Sequence, residues 1–187
     1  MNIVDLVQSQ VIASVKREKD IHPAILSNAN MIFLMKGDLQ TTKAYVDRIK
    51  EANKTVFIHI DFIDGLANTK SAIQYIKDAW KPDGMITTKS NLIKYARRSG
   101  LMTIQRLFLI DRSALKKGLE IAHHSKPDAI EVLPGIMPNI IDELTNRTHL
   151  PIIAGGLVSN KDEILAGLKA GALAISSGNP KLWNLNL

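Results

Sequence analysis

Two segments near the end of the chain carry residue types that bind anions through the main chain. Each is an apolar run that ends in small residues, the first from Pro151 to Gly156 and the second from Ala172 to Pro180. Glycine has no Cβ, so a ligand can approach the backbone closely there. Each segment leads into a predicted helix, whose N-terminal N–H groups and dipole favour negative charge. The alternative is that these glycines only turn tight corners. We predict a phosphate-binding cup formed by Gly155, Gly156, Ser176, Ser177, Gly178 and Asn179.

Glu131 is a carboxylate in an otherwise apolar strand, because Ile130 and Val132 flank it. An unpaired buried charge is costly, so Glu131 needs a partner. Arg106 or Gln105, one predicted strand away, is positioned to supply one. Two interpretations stay open. Glu131 belongs to an internal salt bridge that holds the fold together, or it binds ligand hydroxyls or a Mg²⁺ ion.

His59 and Asp61 stand two residues apart at the end of the third predicted strand, so they are expected on the same face of it. A histidine has an ordinary pKa near neutrality and is suited to general acid or base chemistry. A lone inward histidine is more often a structural residue. Lys16 and Lys36 end the first and second predicted strands. No His and carboxylate spacing in the chain predicts a metal site.

The elements that position these residues alternate strictly between strand and helix. The predicted strands include residues 11–15, 31–35, 56–61, 85–87, 103–110 and 129–133, and a predicted helix follows each one. About eight such units indicate a parallel sheet covered by helices. The sheet could stay open and doubly wound. The paired phosphate signal at the last two strands favours a compact (β/α)₈ TIM-like barrel with a phosphate site at strands 7 and 8.

Length and composition limit the fold further. The chain has 187 residues and no cysteine, so we expect one domain over residues 1–187 without disulfides. This is short for a barrel, which predicts minimal loops and shortened helices. No signal peptide and no apolar run long enough to span a membrane is evident, so a cytoplasmic location without membrane contact is expected.

Positive charge is in excess, with a formal net charge of +6 and a pI near 9.5. Such a balance fits nucleic acid or small anions as partners, although solvated lysines are the commoner explanation. Aromatic residues are few, so contact with an RNA backbone or hairpin shape fits better than base stacking. Two predicted helices carry the candidate RNA-binding residues Lys94, Arg97, Arg98, Arg112, Lys116 and Lys117.

Four motifs together resemble the glycerol-3-phosphate-responsive antiterminator family. They are residues 104–111 (IQRLFLID), 130–135 (IEVLPG), 153–156 (IAGG) and 181–183 (KLW). The resemblance covers nearly the whole chain and implies a barrel that binds glycerol 3-phosphate as its effector, without a cofactor. It also implies binding to the leader mRNA of glycerol-utilisation genes, so that polymerase reads past a terminator. The family pattern has a basic residue at position 159 and threonines at positions 176 and 177, where this chain has serines.

Three functions remain open from the sequence. The first is a non-catalytic, effector-gated RNA-binding regulator, with the glycerol part of the effector against Lys36, His59, Asp61, Arg106 and Glu131. The second is a barrel enzyme, such as an isomerase, aldolase or lyase, that acts on a small sugar or triose phosphate with His59, Asp61, Lys36 and Glu131 as its acid–base set. The third is a ligand sensor that acts through a protein partner. The sequence also leaves homo-oligomerisation open.

Overall fold

The computed structural model describes Asn2–Leu185 and Leu187, and its strands close into a parallel barrel. Neighbouring strands pair in chain order, and the last strand pairs with the first. The strands are β1 Val11–Val15, β2 Met31–Leu34, β3 Thr55–His59, β4 Gly84–Thr87, β5 Met102–Phe108, β6 Ala129–Leu133, β7 Ile152–Gly155 and β8 Ala174–Ser177. The predicted (β/α)₈ barrel is confirmed, and the open doubly wound sheet is wrong.

Helices cover the outside of the barrel. They are α2 Ile21–Leu26, α3 Thr42–Glu51, α4 Lys70–Tyr75, α5 Ser90–Ser99, α6 Arg112–Ser125, α7 Pro138–Arg147 and α8 Lys161–Lys169, whereas α1 Ile3–Leu6 lies at the amino-terminal end of the barrel. Both α2 and α4 have only six residues. The chain therefore completes the barrel by shortening helices, as its length predicts. No helix in the described part of the chain is long and apolar enough to cross a membrane.

Alternation along the strands divides the buried side chains into two apolar cores. Strand residues bear side chains on opposite faces in turn, and a parallel strand covered on both sides reads as a continuous apolar run. One face packs against the helices. The other face fills the barrel interior, with side chains that include Ile12, Met31, Phe33, Phe57, Ile86, Ile104, Ala129, Ile153 and Ala174.

The short helix α1 closes the amino-terminal end of the barrel. The Asn2 side chain accepts a hydrogen bond from the Asp5 N–H, and the Asp5 carboxylate accepts one from the Asn2 N–H. This reciprocal cap starts the helix. Ile3 is fully buried in the interior core, and Leu6 and Val7 pack against the same cluster. The opposite end, where the strands have their carboxyl termini, carries the polar residues described below.

Several predicted elements end differently in the structure, and β2 and β5 stop one and two residues early, at Leu34 and Phe108. Strand β3 stops at His59, and Asp61 lies in a 3₁₀ helix, Ile60–Phe62, so the prediction that His59 and Asp61 share a strand face is wrong. Hydrogen bonds from the next strand–helix loop hold Asp61 there. The helix after β3 is also irregular, because α4 ends at Tyr75 and continues as a π-helix, Ile76–Trp80.

Candidate anion-binding site

A cavity of about 80 Å³ opens at the carboxyl ends of the strands, where β1 and β8 meet. A single water needs only about 10–15 Å³ of such space, so the cavity has room for several waters or for a small anionic group. Most of its lining is polar or glycine. The lining residues are Ser14, Lys16, Met35, Arg106, Glu131, Leu133, Gly156, Leu157, Val158, Ser176, Ser177 and Gly178.

The two predicted corners lie side by side, because β7 and β8 pair with Gly155 opposite Ser176. Gly156 turns the chain with a φ of +78°, and a side chain at this position would also meet Leu133 at 3.0 Å. Glycine is therefore favoured at position 156, where a side chain would be strained. Among the described residues, no hydrogen-bond acceptor occupies the main-chain N–H of Gly156 or Gly178. The cavity thus has main-chain donors from both corners.

Trp183 fixes the orientation of the second corner. Its buried indole Nε1 donates a hydrogen bond of 2.7 Å to the carbonyl oxygen of Ser177. In a trans peptide the carbonyl and the next N–H point in opposite directions. Because Trp183 holds the Ser177 carbonyl, the N–H of Gly178 points away from the indole, on the side where Gly178 lines the cavity.

A buried ion pair forms the inner wall of the cavity. Arg106 Nε donates to Glu131 Oε2 at 2.7 Å, and Ser176 Oγ donates to Glu131 Oε1 at 2.7 Å. The side chains of Arg106 and Glu131 are only 4% and 1% exposed. An added Cβ at Gly155 would stand 2.1 Å from Ser176 Oγ, so this glycine makes room for the network. The predicted internal salt bridge is confirmed, and Arg106 is the partner.

Gln105 points to the opposite side of β5. Its Oε1 accepts a hydrogen bond from the hydroxyl of Ser125, which is buried at the end of α6. Adjacent residues of one strand therefore face two different layers of the protein. Arg106 presents guanidinium N–H groups to the cavity, and Gln105 holds a helix.

His59 lies in the barrel interior but does not line the cavity. It is 1% exposed, and neither ring nitrogen has a hydrogen-bond partner among the described residues. The edge of Phe62 packs against its ring at a centroid distance of 4.5 Å. Burial, together with the positive charge of Arg106, lowers the pKa of His59 to about 3. The prediction of a histidine that titrates near neutrality is therefore wrong, because the imidazole stays neutral.

The Asp61 carboxylate is hydrogen-bonded to the end of β4 and the loop between β4 and α5. It accepts hydrogen bonds from Thr87 Oγ1, from the N–H and Oγ1 of Thr88, and from Lys89 Nζ, at 2.8 to 3.2 Å. Although burial acts to raise the pKa of Asp61, the hydrogen bonds from Thr88 and Thr87 hold it below its ordinary value. Asp61 does not line the cavity, and Lys36 is an exposed residue outside it.

The cavity therefore contains some of the residues predicted to bind the glycerol part and some of those predicted to bind the phosphate. Arg106 and Glu131 line it, whereas Lys36, His59 and Asp61 do not. Of the six predicted phosphate residues, the cavity is lined by Gly156, Ser176, Ser177 and Gly178. Gly155 packs beneath Ser176, and the N–H of Asn179 donates to Ser177 Oγ at 3.2 Å. No group of three or more His, Asp or Glu residues in the described ranges is arranged to hold a metal ion.

The two helix starts that the sequence predicts as anion donors do not line the cavity. At the start of α8 the Glu163 N–H donates to Asn160 Oδ1, and the Glu163 carboxylate accepts the Ser159 N–H. The helix therefore caps itself with its own acidic side chain. After β8 only a three-residue 3₁₀ helix follows, Pro180–Leu182, and its dipole is short. Loop amides, rather than helix ends, supply the donors.

Ser14 and Lys16 are site residues that the phosphate-site prediction missed. They stand on and just after β1, which pairs with β8 in the register Ala13 opposite Ser177. A closed barrel makes the first and last strands neighbours, so this signal was available once a barrel was predicted. Lys16 brings a positive charge to the rim of the cavity.

The predicted RNA-binding residues lie on two helices that pack side by side, α5 and α6. Lys94, Arg97 and Arg98 are exposed on α5, and Lys116 and Lys117 are exposed on α6. Arg112 differs from these, because it forms an ion pair with Glu143 of α7. Its charge is therefore partly compensated.

Comparisons with known proteins agree with the barrel fold. A family model described as "Glycerol-3-phosphate responsive antiterminator" matches residues 11–183. The curated Escherichia coli (strain K12) protein named "Uncharacterized protein YgcP" is 37% identical over 178 residues, which cover 95% of this chain and 93% of that protein.

Two solved structures are similar over nearly their whole length. The glycerol uptake operon antiterminator regulatory protein from Listeria monocytogenes superposes with a TM-score of 0.91 at 32% identity, covering 94% of this chain and 95% of that one. A glycerol uptake operon antiterminator-related protein from Thermotoga maritima gives 0.84 at 30% identity, covering 94% and 98%. The chain therefore belongs to the glycerol-3-phosphate responsive antiterminator family, a family of regulatory proteins.

Proposed function

We propose that the cavity binds glycerol 3-phosphate and that the bound protein recognises the leader mRNA of glycerol-utilisation genes. The observation that carries the proposal is the lining of the cavity. Unoccupied main-chain N–H groups of Gly156 and Gly178, the hydroxyl of Ser177 and the ammonium of Lys16 surround one small space. Main-chain donors in a glycine-containing concavity, joined by a cation, are suited to a phosphate.

The polar inner wall suits the rest of such a ligand. The phosphate lies against Lys16 and the two corners, and the glycerol hydroxyls face Arg106 and Glu131. A carboxylate with two oxygens accepts from more donors than the two it already has, and a guanidinium has five N–H donors. Lys36, His59 and Asp61, which the sequence assigned to the glycerol part, take no part in this arrangement.

The regulatory step is a shift between two states of the protein. If the effector binds the RNA-competent state more tightly, it raises the population of that state. Linkage then requires RNA to raise the affinity for the effector by the same factor. Loop residues of the cavity, Gly156 to Val158 and Ser177 to Gly178, are the segments that closure over the effector would order.

A non-catalytic role is preferred over the barrel enzyme. The acid–base set of the enzyme hypothesis was Lys36, His59, Asp61 and Glu131. Only Glu131 lines the cavity, and a salt bridge holds it. His59 is neutral and sealed in the interior, and the carboxylate of Asp61 is occupied by a loop. Proton transfer requires a group within hydrogen-bond reach of the reacting atom.

Calorimetric titration tests effector binding directly. Glycerol 3-phosphate is titrated into the protein, with inorganic phosphate and glycerol as separate controls. Lys16→Gln is expected to weaken binding about tenfold, since hydrogen bonds to charged groups contribute roughly 1.5–3 kcal/mol. Lys36→Gln is the matched control on the next strand and is expected to bind as the wild type does. Equal loss in both variants would place the phosphate elsewhere.

RNA binding tests the second half of the proposal. A transcript of the untranslated leader that precedes the glycerol-uptake genes is titrated with protein, with and without saturating glycerol 3-phosphate. Tighter binding with effector supports the coupling. Unchanged RNA affinity contradicts it, and turnover of a triose or sugar phosphate would favour the enzyme instead. Effector-dependent capture of a defined protein partner, with no RNA binding, would favour the sensor hypothesis.

A further inference from the structure

A second concavity lies on the outer wall of the barrel, between the carboxyl-terminal ends of α5 and α6. It has a volume of about 340 Å³. Lys94, Arg97 and Arg98 of α5 line one side, and the end of α6 with the residue after it lines the other. We call this concavity the basic groove, and its lining is Lys94, Arg97, Arg98, His124, Ser125 and Lys126.

The cations of the basic groove have no acidic partner. None of the ion pairs formed in the described part of the chain includes Lys94, Arg97, Arg98 or Lys126. Helix α5 contains no Asp or Glu at all. Lys94 stands three and four residues before the two arginines, so the three charges share one helix face. Like charges at this spacing repel each other in the free protein.

Compensation of helix dipoles explains only part of this cluster. Basic residues in the last turn of a helix interact favourably with its negative end, and Arg97 and Arg98 are in the last turn of α5. Lys94 lies a full turn earlier, and Lys126 follows the end of α6 in a left-handed conformation with a φ of +53°. Lys94 and Lys126 therefore place positive charge on opposite sides of the groove. An extended anion would lie between them.

We infer that the basic groove binds the phosphate backbone of the leader RNA, an inference that rests on the proposed function. The groove has four unpaired cations, His124 as the one ring in its lining and no large apolar side chain, which suits contact with phosphates more than with stacked bases. The basic residues earlier in α6, Arg112, Lys116 and Lys117, form a poorer site, because Arg112 is held by Glu143, which also pairs with Arg147. Of the two basic helices, the carboxyl-terminal ends therefore form the RNA surface.

One strand connects the basic groove with the effector cavity. Ser125, buried in the floor of the groove, donates its hydroxyl hydrogen to Gln105 of β5. The next residue, Arg106, points into the cavity and pairs with Glu131. A change in the Arg106 side chain on effector binding acts on the same strand that holds the groove. This connection gives the coupling between the two sites a physical path.

Charge reversal with a matched control tests the inference. The variant Arg97→Glu/Arg98→Glu is compared with Arg48→Glu/Lys169→Glu, which makes the same change of net charge with exposed residues of α3 and α8. The leader transcript is titrated at several salt concentrations. The groove variant is expected to lose at least tenfold in affinity and to lower the log–log salt slope by about 1.4, since each single-strand phosphate contact adds about 0.7. The control is expected to keep most of its affinity.

Each outcome has one meaning. Effector titration and thermal unfolding show that each variant is folded, and the neutral pair Arg97→Gln/Arg98→Gln gives a milder form of the same test. If the wild type binds the transcript but both charge-reversal variants lose affinity equally, the groove is not the RNA site and the proposed function stands. If the wild type does not bind the transcript in either effector state, the proposed function fails, and the inference fails with it.

Discussion

The cavity and the basic groove both contain arginines, but the surroundings of these arginines are opposite. In the cavity Arg106 is buried, and a carboxylate at 2.7 Å compensates its charge. In the groove Arg97 and Arg98 are exposed and no described residue compensates them. A buried charge must be paired, because desolvation costs several kcal/mol per ion, whereas a solvated charge need not be. The first arrangement is suited to a small ligand that replaces water, and the second to a large polyanion.

Removing the buried cation should give the largest effect. Arg106→Met leaves Glu131 in the interior without its ionic partner, and breaking such a pair costs about 3–5 kcal/mol of unfolding free energy. Arg97→Met in the basic groove is the control and should change stability by less than about 0.5 kcal/mol. Denaturant unfolding measures both. A loss of similar size in the two variants would break the contrast between the regions.

Lowering the pH should reduce the stability of the protein through His59 in the barrel interior and not through the basic groove. The pKa of His59 is about 3 in the folded protein and near 6.5 when unfolded. Below pH 6.5 the unfolded chain therefore takes up a proton that the folded chain does not, and stability falls as pH falls. Between pH 6.5 and 5 this amounts to at most about 2 kcal/mol, because one pH unit corresponds to about 1.4 kcal/mol per group.

The His59→Gln variant should flatten this slope, and Arg97→Met should retain it. Stability measured by denaturant unfolding at half-unit steps of pH checks both expectations. A wild-type slope that persists in His59→Gln would show that other groups cause the acid sensitivity.

A smaller and more local change should affect one corner of the cavity. Trp183→Phe keeps an aromatic ring in the core but removes the N–H that holds the Ser177 carbonyl, a hydrogen bond that contributes about 1 kcal/mol. Effector affinity should fall, because the N–H of Gly178 is no longer fixed in direction. RNA binding without effector should stay as in the wild type. Loss of that basal binding as well would indicate that the two regions are less separate than their distance along the fold implies.

The hydrophobic periodicity and the turn residues of the sequence are nearly sufficient to predict the fold. Strands β1 and β6 begin and end where the sequence predicts them, because a parallel strand that is buried on both faces is mostly apolar. The end of β3 was wrong by two residues. A polar residue after a strand has no fixed direction until its partners are known, and Asp61 found four donors in the next loop.

The backbone part of the candidate site was predictable from local sequence, whereas the side chains that reach it from distant strands were only partly predictable. The two small-residue corners follow from local sequence, and Gly156 and Gly178 do line the cavity. The contribution of Lys16 depends on closure between β1 and β8, which no local pattern shows. The ion pair between Arg106 and Glu131 followed from a general rule, since a carboxylate in an apolar strand must find a cation.

Helix α1 has a consequence for how fast a ligand of the cavity would bind and dissociate. Ile3 plugs the barrel at its amino-terminal end, and the interior above it is filled with apolar side chains. A ligand would then enter and leave the cavity at the opposite end of the barrel, beside the loop that carries Leu157. A molecule bound over that opening would keep the ligand in the cavity. The dissociation rate of the covering molecule, and not the affinity of the cavity, would then set how long the ligand stays bound.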